Sequence, residues 1–129
     1  MSQAIINKEE CRGQQSEPFV MAAQSEIEQV ADGIKRQFLG FNEQIMAVRV
    51  WFEEGAVGEV HTHYHSQISY VESGEFDVTI NGETKTLKGG DSFFVTPDAP
   101  HGAVCKSTGV LIDMFSPIRE DFLGEAVQS

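Results

Sequence analysis

Asn81-Gly82 stands between two alternating runs, Phe76-Asp77-Val78-Thr79-Ile80 and Thr84 to Leu87, and it is the strongest local constraint in the chain. Asn-Gly accepts the positive φ angles of a two-residue turn whose twist matches its flanking strands, so the two runs are expected to form a hairpin. The same grammar continues on both sides. Gln44 to Phe52 reads as a strand ended by Glu53-Glu54-Gly55, and Ile68 to Val71 runs into a turn at Glu72-Ser73-Gly74. Lys88-Gly89-Gly90-Asp91 turns into Ser92 to Thr96, and His101 to Lys106 and Val110 to Phe115 complete the set. Short strands at ~8–12-residue spacing with turn residues between them predict an all-β sandwich or barrel. A chain of 129 residues is one domain by default and can bury a core without disulfides. Residues 1 to 25 are expected to be a polar N-terminal arm, or an edge strand around Pro18 to Met21, ahead of a folded domain over 26–129. Ser25 to Gly33 is open between a short helical turn and another strand. The tail from Ser116 to Gly124 is expected to form a turn of helix or a cap.

Nine basic residues face twenty acidic ones, for a net charge of −11. Nucleic acids and anionic membranes both need basic surface, so neither is an expected partner. No stretch approaches the ~20 apolar residues of a membrane span. Met1 to Lys8 lacks a long apolar segment and a basic start, so no secretory signal is expected and the cytoplasm is the expected compartment. Cys11 and Cys105 then read as free thiols. An anionic substrate would need a local positive site against this global field, and a divalent cation held by neutral ligands would be one.

All four histidines of the chain are informative. Three stand in His61-Thr62-His63-Tyr64-His65-Ser66-Gln67, and His101 follows Pro97-Asp98-Ala99-Pro100. Imidazole is the commonest biological metal ligand, and scattered surface histidines would not cluster in this way. On a strand, positions i and i+2 share a face ~6.6 Å apart, so His61 and His63 can reach one ion. A straight strand would carry Gln67 ~20 Å from His61. If Gln67 binds the same ion, the chain must turn near Tyr64 to Ser66 and return it on the next strand. His65 would then fall at the bend, as a histidine of the pocket rim or one in solvent. His101 comes from a distant strand, which suits a closed or folded-over sheet with an interior cavity.

Asp113 is the lone carboxylate of Val110-Leu111-Ile112-Asp113-Met114-Phe115. Parity places it with Leu111 and Phe115, on a strand whose two faces are otherwise apolar. A buried carboxylate needs a partner or takes a raised pKa. It is either a functional group of the cavity or a structural aspartate paired with Arg49 or Arg119.

Gly55-x5-His61-x-His63-x3-Gln67-x6-Gly74 resembles the first motif of the cupin family, with Gln67 where glutamate is usual. Gly90 to His101 resembles the second, although Pro97 is one place late, Ala99 replaces a common glycine and Cys105 the usual asparagine. The resemblance implies a single-domain jelly-roll β-barrel, often dimeric, with one interior divalent ion on His61, His63, Gln67 and His101. Three imidazoles and an amide are neutral, so the site keeps the full charge of the ion, which favours Lewis-acid work on anionic oxygens. Ni²⁺, Zn²⁺, Mn²⁺ and Fe²⁺ all accept such ligands.

Phe115-Ser116-Pro117-Ile118-Arg119-Glu120-Asp121-Phe122-Leu123 resembles something narrower, the pectin-degradation cupins of the KdgF type. Gly33 to Arg36, Gln67 to Val71 and Pro100-His101-Gly102 extend the match. Those proteins linearise 4,5-unsaturated monouronates from pectin and alginate breakdown to 5-keto sugar acids, an isomerase-type ring opening. Carried over by position, Asp113, Phe115 and Arg119 are the functional side chains, with Arg119 and Phe115 against the substrate. An oxidative cupin, a metal-dependent dioxygenase, would use the same ligands with a reducible metal. A non-catalytic sugar-acid binding cupin is the third reading.

Overall fold

The computed structural model describes residues 15–123. Cys11, the segment Met1 to Lys8 and the end of the tail lie outside the described residues. Among the described residues there are eight strands: β1 (Ile27–Ala31), β2 (Ile34–Phe41), β3 (Met46–Phe52), β4 (Val57–His61), β5 (Ser66–Ile80), β6 (Glu83–Lys88), β7 (Ser92–Val95) and β8 (His101–Ser116). All pairings are antiparallel. The fold is of the all-β class that the turn grammar predicts, arranged as the jelly roll that the cupin resemblance implies.

Two strands differ from the sequence reading, and they organise the molecule. Ile68–Val71 and Phe76–Ile80 are halves of one strand, β5; His101–Lys106 and Val110–Phe115 are halves of β8. Glu72-Ser73-Gly74 is therefore not a chain reversal. It is a bulged corner, where the β5–β8 register shifts between Val71 and Phe76. Bulges let one strand bend from one layer into another without breaking its ladder. Beyond the corner, β5 exchanges β7 for β6 as its outer neighbour, while β8 exchanges β3 for β4. The result is two layers that share their central strands, one carrying β1-β2-β3-β8-β5-β7 and the other β4-β8-β5-β6. Gly74 (φ +82°) and Gly109 face each other at the corner, and a Cβ on Gly74 would stand 2.5 Å from the Gly109 Cα. No larger residue fits that crossing.

The core lies between the layers. β3 alternates strictly, with Met46, Val48, Val50 and Phe52 inward. They meet Val71, Phe76, Leu111 and Phe115 from β5 and β8, and Phe52 packs edge-on against Phe76 at 5.2 Å. Cys105 is a buried free thiol in this core, its pKa raised by burial.

Residues 25–33, open on sequence grounds, form β1 and the turn into β2. No strand forms over Pro18 to Met21. That stretch leads into a 3-10 turn, Ala22–Gln24, laid along β2, where the Gln37 amide donates to the carbonyls of Ala22 and Ser25. At the other end the chain leaves β8 and forms a cap. Ile118 and Leu123 are buried, the Ile118 N–H donates to the Glu43 carbonyl, and residues 120–123 make a helical turn. No helix among the described residues is long and apolar enough to cross a membrane.

Candidate metal centre and its cavity

β4 ends at His61, and the chain continues extended to His63 before bending at Tyr64-His65 into β5. That bend returns Gln67 beside His63. His101 opens β8 directly opposite His61 in the β4–β8 register. Three chain segments therefore converge at one end of the barrel. The ring nitrogens of His61, His63 and His101 offer one ligand atom each, all within 4.8 Å of one another.

The outward side of each ring is tied to backbone. Nδ1 lies 2.9 Å from the Glu59 carbonyl in His61, 3.2 Å from the His65 carbonyl in His63 and 2.9 Å from the Ala99 carbonyl in His101. Carbonyl oxygens only accept, so each Nδ1 carries the proton and each Nε2 presents a lone pair. Burial lowers the pKa values of His63 and His101, and neighbouring positive groups, including Arg119, lower them further; hydrogen bonds to Gln67 and to the Ala99 carbonyl oppose this. Neutral imidazole is the ligating form.

Gln67 sharpens the point. Its Nε2 donates to Ser69 Oγ at 2.8 Å, and Ser69 Oγ donates to Asp113 Oδ1 at 2.6 Å. That chain of donors fixes the amide, so Gln67 Oε1 is the atom 2.9 Å from His63 Nε2. Two lone pairs then face each other with no proton between them, and His101 Nε2 is buried without a partner. Buried acceptors left in this way are costly. A cation at their focus satisfies all of them, so the donor set fits a metal ion.

These groups open onto a cavity of about 150 Å³, whose polar wall is His61, Gln67, His101, Asp113 and Arg119. Phe52, Phe93, Leu111 and Phe115 supply apolar walls. Asp113 sits as parity predicts, with Leu111 and Phe115. Its carboxyl is pushed up to about 6, chiefly by desolvation, while Ser69 and the Arg119 charge act in the opposite direction. Arg49 is not its partner; it lies on the outer face and donates to Gln37 Oε1 at 2.9 Å. Arg119 reaches the cavity from the cap, with its guanidinium 5.3 Å from the Phe115 ring centroid.

Of the two expectations for His65, the solvated one fails. The residue lies outside the three-histidine cluster and lines a second pocket together with His63 and Arg119. Only 4% of it is exposed, because the bend turns it inward and its ring stacks on Tyr64 at 3.9 Å. Two residues escaped sequence reasoning. Ser69, fully buried, joins the amide of Gln67 to Asp113; its signal was a hydroxyl at a core-facing position two places after Gln67. Asp121, which grips Arg119 through both carboxylate oxygens, stood only within the run Phe115 to Leu123, with no role assigned to it.

Residues 48–115 match the cupin domain family. The chain is 46% identical over 98 residues to the pectin degradation protein KdgF of Dickeya dadantii (strain 3937), covering 74% of this chain and 89% of that protein. The KdgF structure from a Halomonas species superposes with a TM-score of 0.80 at 38% identity, over 84% of this chain and 100% of that one. An RmlC-like cupin from Shewanella frigidimarina NCIMB 400 is similar at 59% identity and TM-score 0.83, over 84% and 98%. The chain belongs to the cupin family, and within it to the pectin-degradation proteins of the KdgF type.

Proposed function

We propose that this cupin is an enzyme that opens the ring of 4,5-unsaturated monouronates released from pectin or alginate, yielding linear 5-keto sugar acids. The observation that carries the proposal is the placement of Asp113 and Arg119 on the wall that also holds His61, Gln67 and His101, across one small cavity. His61, His63, Gln67 and His101 are the proposed ligands of one divalent ion, Ni²⁺, Zn²⁺, Mn²⁺ or Fe²⁺. When bound, that ion supplies positive charge beside oxygens that become negative as the ring opens.

The chain's own groups do the rest. Arg119 receives the C6 carboxylate, and Phe115 flanks the ring. Asp113, as carboxylate, takes the proton from the C1 hydroxyl. The C1 carbonyl forms, the bond from C1 to the ring oxygen breaks, and its electrons leave an enolate across C4, C5 and that oxygen. Asp113 returns the proton to C4, and C5 becomes a ketone. No water is consumed, so the net change is an isomerisation. A carboxyl near pH 6 suits both halves, since it is mostly ionised at pH 7 and still a competent acid. Ser69 holds Asp113 Oδ1 throughout. The cavity wall is built around a positive edge, which reconciles an anionic substrate with a chain of net charge −11.

The same reading includes a homodimer. Ile68, Tyr70 and Phe94 are exposed together where β7 pairs with β5, and an apolar sheet face of that kind suits a second copy. Light scattering after gel filtration tests it.

The activity test is NMR of unsaturated galacturonate with metal-loaded protein. Ring opening faster than the spontaneous rate is expected. Arg119→Ala should raise KM as well as slow the reaction. A wild type that never exceeds background on any unsaturated uronate overturns the proposal, and saturable binding without turnover would then identify a binding module.

A further inference from the structure

Arg119 is held on several sides. Its Nε donates to Asp121 Oδ1 at 2.9 Å and its Nη2 to Asp121 Oδ2 at 2.7 Å. Its guanidinium carbon lies 4.1 Å from the centroid of the Phe122 ring and 5.3 Å from that of Phe115. Phe122 is backed in turn by the Arg36 guanidinium, 4.4 Å away on the strand β2 side. The Arg119 side chain is 11% exposed, whereas that of Asp121 is 57% exposed. The fork is therefore gripped along one edge from the solvent side and packed against two rings that also touch each other. Nη1 and the second hydrogen of Nη2 are the donors Asp121 does not use, on a residue that lines the metal cavity.

We infer that Asp121 is a positioning residue for substrate recognition: it does not touch the substrate but fixes the guanidinium edge of Arg119 that receives the substrate carboxylate. The inference rests on the assignment of Arg119 to that carboxylate. An arginine free to rotate must be ordered when the anion binds, and a bidentate carboxylate removes that cost in advance. The opposite case is physically distinct. Asp121 is itself an anion beside the site and occupies Arg119, so if it acted only through its charge or as a competitor, neutralising it would tighten substrate binding. The sign of one change separates the two.

The experiment compares metal-loaded wild type with Asp121→Asn, Asp121→Glu, Arg119→Ala and the double variant Asp121→Asn/Arg119→Ala. Spontaneous ring opening of unsaturated galacturonate is subtracted throughout. Losing one pre-ordered side chain should raise KM roughly three- to tenfold in Asp121→Asn, with kcat within about twofold. Asp121→Glu should recover part of the loss, since it keeps both acceptor oxygens. In the Arg119→Ala background Asp121→Asn should add nothing. A KM that is unchanged or lower in Asp121→Asn, or the same increment without Arg119, overturns the inference. A readout free of catalysis is the ¹⁵N signal of the Arg119 Nε–H, expected to be protected from water exchange in wild type and lost in Asp121→Asn. If wild type shows no turnover, the ring-opening proposal falls by itself. The Nε–H signal then judges the positioning of Arg119 alone, and equal protection in both proteins refutes it.

Discussion

Asp113→Asn should inactivate the protein and stabilise it. Burial pushes the Asp113 carboxyl up to about 6 from an ordinary 3.8. Between those two values the folded chain holds a proton that the unfolded chain has released. Folding stability therefore falls as pH rises through that window; the loss is absent below about 3.8 and complete above about 6. At ~1.4 kcal/mol per pH unit the gap is worth roughly 3 kcal/mol at pH 8, as an order of magnitude. Asparagine is neutral, nearly isosteric and still accepts the Ser69 hydroxyl proton. The variant should thus exceed wild type by up to ~3 kcal/mol at pH 8, or very roughly 10 °C in Tm. Its advantage should shrink through the window and vanish near pH 3.5. Urea denaturation of metal-free protein at a series of pH values measures this directly. Metal should narrow the difference, because a nearby cation favours the carboxylate. Turnover should drop ~10²–10⁴-fold, the usual share of an acid–base group. In metal-loaded wild type the rate should rise with pH as the base ionises, with its midpoint below the metal-free value of about 6. An Asp113→Asn protein no more stable than wild type at pH 8, or one whose gain is the same at every pH, would refute the buried-carboxylate reasoning.

His101→Ala removes a buried nitrogen that no hydrogen bond satisfies, and it should lose most of the bound metal by elemental analysis. His65→Ala should keep the metal but lower stability, because its ring is buried against Tyr64; full metal occupancy in the His101 variant would contradict the ligand assignment. Gln67→Glu should retain metal and slow turnover, by no more than a few kcal/mol of barrier after screening, and an unaltered rate would show that ligand charge is not limiting. Gly74→Ala would place a Cβ 2.7 Å from the carbonyls of Ser107 and Thr108 at a backbone φ of +82°, and should cost ~2 kcal/mol or more in urea titrations.

The turn grammar exposed seven strand segments and the class of fold, because period-2 alternation and Asn-Gly are local signals. It could not show that Val71 and Phe76 share one strand. A bulge and a reversal use the same residues, and only the long β5–β8 ladder distinguishes them. The convergence of His61, His63 and His101 was legible for a related reason. Two of the three lie two residues apart, and the third is the one histidine outside the run. The environment of His65 was not legible, since whether a bend turns its ring inward depends on what packs there, here Tyr64. Asp121 was hidden because its function is relational. Its exposed carboxylate gains meaning only through the Arg119 edge it holds.

Ser69 explains why an amide, and not a carboxylate, suits position 67. A serine hydroxyl has one proton to donate, and here it goes to Asp113 Oδ1 at 2.6 Å. The Ser69 oxygen can then only accept, and the Gln67 amide supplies the N–H it accepts, at 2.8 Å. The direction of every bond from His63 to Asp113 follows from that one proton. A glutamate at 67 has no N–H. Ser69 would stand between two carboxylates with a single proton for both, leaving one buried acceptor unsatisfied and two like charges close together. The cheapest relief is to protonate Asp113, which moves the acidic limb of the pH–rate profile above that of wild type. Slower turnover in Gln67→Glu would then have two separable parts. The weaker pull of the ion persists at every pH, while the lost ionisation of Asp113 is recovered by raising the pH. A Gln67→Glu profile that is lower but unshifted would leave the Ser69 bridge without a part in tuning Asp113.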